Sequence, residues 1–321
     1  MAHLKIDTHQ HVFPPQIKRF MEGSPLSQGF SAPAWSPEMS LDFMAGNNIG
    51  TSILSYGIPV TVFGKEAAET AAMCREINEY LASLRDQDPS KFGFFTTLPS
   101  LEDVPRCIEE ICYAFSVLKA DGVNLFTSYN DKYLGHPDFE PVWAELDRHA
   151  AVVFIHPTME GMEKSITEPF LMPRAVFDWP HETTRTAMHL IITNTVRKFP
   201  ACKRILSHGG GTLPYVAGRI EDANMQARFS GKEPGEFLED AKSFYFDLAL
   251  VGHTGPLQLL MNFAKKGHIL YGSDYPFVRE DMLEQKTRAI DGMVDGDGEE
   301  LVLVARKAAQ TLFPRLKGPV N

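Results

Sequence analysis

Short runs of β-branched and aromatic residues recur along the 321-residue chain, separated by longer stretches whose apolar positions repeat every three and four residues. In order the runs are LKIDTHQHV (4 to 12), TSILSYG (51 to 57), FGFFTTLP (92 to 99), GVNLFTSY (122 to 129), AVVFIHPT (151 to 158), KRILSHGGG (203 to 211), SFYFDLALV (243 to 251) and HILYGSDYP (268 to 276). The stretches between them, such as GKEAAETAAMCREINEYLASLRD and PHETTRTAMHLIITNTVRKFP, carry Pro or Gly near their ends and read as amphipathic helices covering a sheet. Eight strands alternating with helices predict an α/β fold, a distorted (β/α)8 TIM barrel forming a single domain over residues 1 to 321. A doubly wound open sheet is the other layout that this alternation allows.

Two segments, residues 13 to 38 after strand one and 159 to 179 after strand five, exceed the ~2 to 6 residues of ordinary βα loops. The first is rich in Pro, Phe, Gly and Ser, and the second ends in MPRAVFDW. Long aromatic loops leaving the C-terminal ends of barrel strands stand where such barrels build their sites, so both read as lid or pocket wall. Surface decoration or a subunit contact is the plainer alternative.

Polar residues cluster at the ends of particular runs. Strand one ends in His9 and His11, strand five in His156, strand six in Ser207 and His208, and strand eight in Ser273 and Asp274. Because side chains alternate along a strand, His9 and His11 project to one face and Gln10 to the other. Both imidazoles can then reach one ion, and a third imidazole with a carboxylate from other strands would complete a site suited to Zn2+ or another divalent transition ion. His208 ends strand six beside them, either taking part in the site or anchoring the turn of Gly209, Gly210 and Gly211. Those glycines lack nucleotide-motif spacing and fit a tight strand-to-helix turn. His253 follows strand seven near the mouth, whereas His136, His149, His181 and His189 fall on loop or helix positions.

Composition narrows the partner. A hydrophobic fraction of 44% with 22% charged residues is ordinary for a globular protein, and the net charge of -10 disfavours nucleic acid and anionic membrane surfaces. A small molecule is the expected partner. No run approaches the ~18 apolar residues of a membrane span, and no basic segment with an apolar core opens the chain, so the cytoplasm is the expected location. Cys74, Cys107, Cys112 and Cys202 lack metal or disulfide spacing and read as reduced thiols.

DTHQH, FIHPT, SHGGGTLPYVAGRI and GSDYP, in this order, resemble the amidohydrolase superfamily, and within it the branch typified by aminocarboxymuconate semialdehyde decarboxylase. The resemblance covers nearly the whole chain and is strongest to fungal members acting on 6-methylsalicylate. It implies that His9, His11, His156 and Asp274 hold one metal ion, Zn2+ or Mn2+, and that His208 sits beside it or acts in catalysis. Members with two metals use a carboxylated lysine at the end of strand four, and none stands there in GVNLFTSYND.

The branch removes CO2 without oxidation. Direct loss of CO2 from an aromatic acid would leave an undelocalised aryl carbanion, so the ring carbon bearing the carboxylate is protonated first. Asp274 is the expected proton donor, with His208 positioning it or exchanging its proton. Members acting on muconate semialdehyde use an arginine after strand two, but SILSYGIPVTVFG has none, which favours a smaller apolar ring walled by Phe13, Tyr56, Trp179 and Phe277. Asp178 either accepts from a substrate hydroxyl or is a helix N-terminal charge. The expected activity is decarboxylation of an ortho-hydroxyaryl acid, 6-methylsalicylate giving 3-methylphenol, by a homodimer or homotetramer. The alternatives are a hydrolase or hydratase using metal-activated water on a lactone, amide or unsaturated acid, and a non-enzymatic barrel.

Overall fold

A computed structural model describes residues 4–17, 32–158, 166–227, 231–278, 280–293 and 299–317. Each apolar run supplies one barrel strand: β1 Lys5–His11, β2 Ile49–Ser55, β3 Phe92–Thr97, β4 Gly122–Phe126, β5 Val152–His156, β6 Lys203–Leu206, β7 Tyr245–Asp247 and β8 Ile269–Leu270. All pair in parallel, and their order around the sheet is their order in the chain. Backbone bonds from Thr8 N to Tyr271 O (3.0 Å), Asp274 N to His9 O (2.8 Å) and His11 N to Tyr275 O (2.7 Å) join the last strand to the first. The layout is therefore the (β/α)8 barrel, since an open doubly wound sheet would reverse its order and leave two edges.

The principal helices are α1 Pro37–Gly46, α2 Ala67–Gln87, α3 Val104–Tyr113, α4 Glu140–Arg148, α5 Arg174–Ile192, α6 Leu213–Ala227, α7 Thr254–Phe263 and α8 Glu280–Met293. Ser36 caps α1 by accepting from Met39 N, and Asp103 caps α3 by accepting from Arg106 N. No helix among the described residues is long and apolar enough to cross a membrane.

The strands are shorter than the runs that predict them because their polar tails turn out of the ladder. His208 and Gly209, Gly210 and Gly211 all have positive φ (55°, 65°, 75° and 63°), and Asp274 has φ 62°, a conformation no strand can continue through. The glycine run is thus a left-handed turn, as its lack of nucleotide spacing suggested. A Cβ on Gly211 would lie 1.9 Å from the Pro180 carbonyl oxygen. Gly211→Ala is expected to destabilise the fold by about 2–4 kcal/mol, from strain at positive φ plus this clash, and thermal unfolding measures it. An unchanged melting temperature would show that α5 yields freely.

One expected boundary is corrected. The loop read as 159 to 179 lies partly outside the described residues, and its last six residues, Arg174 to Trp179, belong to α5. Pro180, read as the start of that helix, sits in its second turn, where proline is rare because it removes one helical hydrogen bond. In the first long segment only residues 13–17 and 32–38 are described, with a short turn at Pro15–Ile17 and α1 starting at Pro37.

Inside the barrel, Ile6, Ile53, Phe95, Phe154, Ile205 and Leu270 pack into one apolar cluster, which Ala308, Leu312, Phe313 and Leu316 join from the C-terminal segment. The Phe154 ring meets His9 edge-on at 4.9 Å. The polar strand ends therefore stand on a dry floor, where electrostatic contacts are weakly screened.

Candidate active site

β1 carries the first two imidazoles, and its alternation is interrupted just before them. Asp7 pairs with Ser52 and Gln10 with Leu54, so three steps along β1 oppose two along β2. This bulge lets Ile6 face the interior cluster while His9 and His11 also point inward. Gln10 faces outward to Ser52 Oγ (3.1 Å) and to the hydroxyl of Ser40 on α1. Asp7, fully buried, accepts from Ser273 Oγ (2.6 Å) and from the backbone N–H groups of His9 (3.0 Å) and Ser273 (3.1 Å). Burial outweighs these bonds and raises its pKa to about 6. Asp7 thereby ties the end of β1 to the turn that carries Asp274.

His9, His11, His156 and Asp274 each present one ligand atom, all within 4.8 Å of one another, and all four residues are buried. His9 Nε2 lies 3.0 Å from His11 Nε2. Asp274 Oδ1 faces both, at 3.3 and 3.2 Å. The opposite nitrogens are each engaged. His9 Nδ1 bonds Asp247 Oδ2 (2.9 Å), His11 Nδ1 meets Ser55 Oγ (3.1 Å), and His156 Nδ1 donates to the Pro157 carbonyl (2.8 Å). A carbonyl only accepts, so His156 carries its proton on Nδ1 and its buried Nε2 is a bare lone pair with no hydrogen-bond partner among the described residues. A bare imidazole nitrogen converging with two further imidazoles and a carboxylate is a set of donors that a shared cation would satisfy, and three nitrogens with one oxygen suit a divalent transition metal.

Electrostatics agree with this reading. Burial disfavours a charged His9, yet the Asp247 carboxylate, then Asp274, overcome it and hold the pKa up to about 10. Burial lowers the pKa of His11 and takes that of His156 well below the ordinary range. For Asp274, burial pulls upward but the surrounding imidazoles of His11, His208 and His9 win, holding it well below the usual carboxylate range. Asp274 is therefore ionised, so any proton it delivers must first reach it.

His208 is placed for that exchange, its Nε2 3.6 Å from Asp274 Oδ2. The His208 N–H donates to Asp247 Oδ1 (3.0 Å), so one carboxylate positions both His9 and His208. Asp247 is the functional residue that the sequence reading missed, along with Ser55. The available signal was one acidic residue within YFDLAL, at the same strand-end level as the histidines.

Of the expected wall residues, Phe277 meets His11 at 5.0 Å and Phe13 at 5.5 Å, both edge-on, and Trp179 meets His156 edge-on at 5.7 Å. Tyr56 is a correction. Ser55 faces His11, so the next side chain turns outward, and Tyr56 is fully buried among Met73, Cys74 and Ile77 of α2. Asp178 is buried in the second turn of α5, 3.9 Å from Arg174 Nε, and not at the helix start. His189 accepts from Gly135 N (3.1 Å), and His181 lies within α5. His253 is exposed at the start of α7.

A closed parallel barrel whose strand ends gather three imidazoles and a carboxylate is the class of barrel built to hold a cation at its mouth. The chain belongs to the amidohydrolase family, whose profile matches residues 6–315. It is 42% identical to the decarboxylase yanB of Aspergillus niger, over 99% of this chain and 89% of that protein. It is 39% identical to the 6-methylsalicylic acid decarboxylase of Penicillium expansum, over 98% and 97% of the two chains. A dihydroxybenzoic acid decarboxylase from Polaromonas sp. JS666, solved with manganese and 2-nitroresorcinol, shares the fold with a TM-score of 0.80 and 20% identity, over 99% of this chain and 98% of that one.

Proposed function

We propose that this chain is a carboxy-lyase, a metal-dependent decarboxylase that removes CO2 without oxidation from an ortho-hydroxyaryl carboxylic acid, with 6-methylsalicylate as substrate and 3-methylphenol as product. The observation that carries the reading is the convergence of His9, His11, His156 and Asp274 beneath an aromatic wall. Full-length similarity to fungal decarboxylases supports the substrate class. His9, His11, His156 and Asp274 would hold one divalent ion, Zn2+ or Mn2+. When bound, that ion supplies positive charge to anchor the substrate carboxylate and its ortho oxygen.

The remaining work falls to the chain. Asp274 Oδ2 takes a proton from His208 Nε2 and passes it to the ring carbon bearing the carboxylate. The carbon–carbon bond then breaks, its electron pair restores the aromatic ring, and CO2 leaves. Phe13, Phe277 and Trp179 exclude water and orient the ring. The buried Trp179 Nε1, which has no hydrogen-bond partner among the described residues, offers a donor to a substrate oxygen. Asp178 acts by holding the start of α5 through Arg174, and Tyr56 packs behind β2.

Mixing metal-loaded protein with 6-methylsalicylate and measuring CO2 and 3-methylphenol tests this reading. No turnover across a panel of ortho-hydroxy acids would overturn it, and heavy oxygen from labelled water in the organic product would indicate hydrolysis instead. Asp247→Ala is expected to weaken metal binding about 10- to 100-fold by freeing the His9 ring, measured by competition with a chromophoric chelator. The same reading places the enzyme in the cytoplasm as a homodimer or homotetramer. Phe170, Leu171, Val176 and Phe177, all exposed, would be covered by such a contact, and light scattering reports the state.

A further inference from the structure

In a βα unit the helix runs back against its strand, so the C-terminal ends of α3 and α4 lie on the barrel face opposite the histidine cluster. There Cys112 Sγ donates to Glu145 Oε1 (3.0 Å), and His149 Nε2 lies 3.3 Å from the same oxygen. All three side chains are partly buried, and their ligand atoms lie within 4.8 Å of one another. We propose that Cys112, Glu145 and His149 form a second metal site, selective for a thiophilic divalent ion such as Zn2+, that clips α3 to α4.

The site is already shaped for this. Glu145 and His149 are four residues apart, so both point to one side of α4. The Phe115 ring stacks on His149 at 4.7 Å and 17°, holding the imidazole plane. Arg148 Nη2 lies 2.8 Å from His149 Nε2, and a guanidinium can only donate, so that nitrogen carries a lone pair, which Arg148 now occupies. The C-terminus of α4, capped by His149, adds negative potential that favours a cation. Arg148, bonded to Glu145 and 3.9 Å from Cys112 Sγ, now supplies that cation from an exposed side chain.

On binding, the Cys112 S–H bond breaks and its proton passes to solvent. Sγ, one Glu145 oxygen and His149 Nε2 bond the ion, Arg148 swings out, and a water completes the tetrahedron. Because a thiol proton is released, binding strengthens as pH rises. Sulfur separates this site from the strand-end cluster, which contains only nitrogen and oxygen donors.

Titrating the holoprotein with Co2+ tests the proposal, because only thiolate ligation gives a near-ultraviolet charge-transfer band. The band is expected in the native chain and absent in Cys112→Ser, with turnover unchanged. His149→Gln, which does not depend on the Cys112 variant folding, is expected to weaken binding about tenfold or more. Arg148→Ala is expected to tighten it severalfold by removing the competing cation. Absence of the band in the native chain, its survival in Cys112→Ser, or weaker binding in Arg148→Ala would each overturn the assignment. None of these readouts depends on which substrate the enzyme decarboxylates.

Discussion

Asp274→Asn is expected to lower turnover by roughly 10³- to 10⁴-fold while leaving the fold intact. Asparagine matches aspartate in shape and is among the few residues that tolerate a φ of 62°, so the backbone after β8 has no reason to move. An amide oxygen can still face His9 and His11, where Asp274 Oδ1 lies at 3.3 and 3.2 Å, so metal is retained at reduced affinity. The lost element is the second oxygen, 3.6 Å from His208 Nε2, which an amide nitrogen cannot replace as a proton carrier. The effect should therefore appear in kcat measured at saturating metal, with bound metal and melting temperature followed on the same samples. Turnover near the native value in metal-replete protein would move the proton route away from Asp274.

Residues differ in how far their roles are readable from sequence, and the difference follows the range of the interaction involved. Period-two spacing was enough to put His9 and His11 on one face, and polar residues ending apolar runs marked His156, His208 and Asp274. The bulge that keeps Ile6 and His9 on the same side depends on how β1 pairs with β2, which the sequence of β1 alone does not reveal. Asp247 was overlooked because one acid in a three-residue strand looks like a turn residue until His9, 238 positions away, is seen 2.9 Å from it. Tyr56 was misplaced although the same alternation, counted from Ser55, would have turned it into the core. Pro180 misled the reading of α5 because proline favours first helical positions, whereas here it sits in the second turn of a helix that starts at Arg174.

Chelation is the second test with a large expected effect. Rigorous removal of divalent metal should take decarboxylation to background, and one equivalent of Zn2+ or Mn2+ should restore it. The acid–base chemistry of His9 gives this test a sign. Asp247 and Asp274 outweigh burial and hold His9 near a pKa of about 10, above the ordinary 6.5, so at neutral pH a metal ion entering the site must displace a proton. Apparent affinity is therefore expected to rise about tenfold per pH unit between neutrality and that value, with one proton released per ion, measurable by calorimetry in buffers of different ionisation heat. The chelated protein should behave oppositely. A raised folded pKa contributes stability that is fully present below 6.5 and lost as pH climbs through about 10, so its melting temperature should fall over that interval. The metal-loaded protein, whose His9 has no proton to lose, should not show that decline. Metal affinity independent of pH would mean that His9 is not a ligand, and the four-residue cluster would then have to work through a different set of donors.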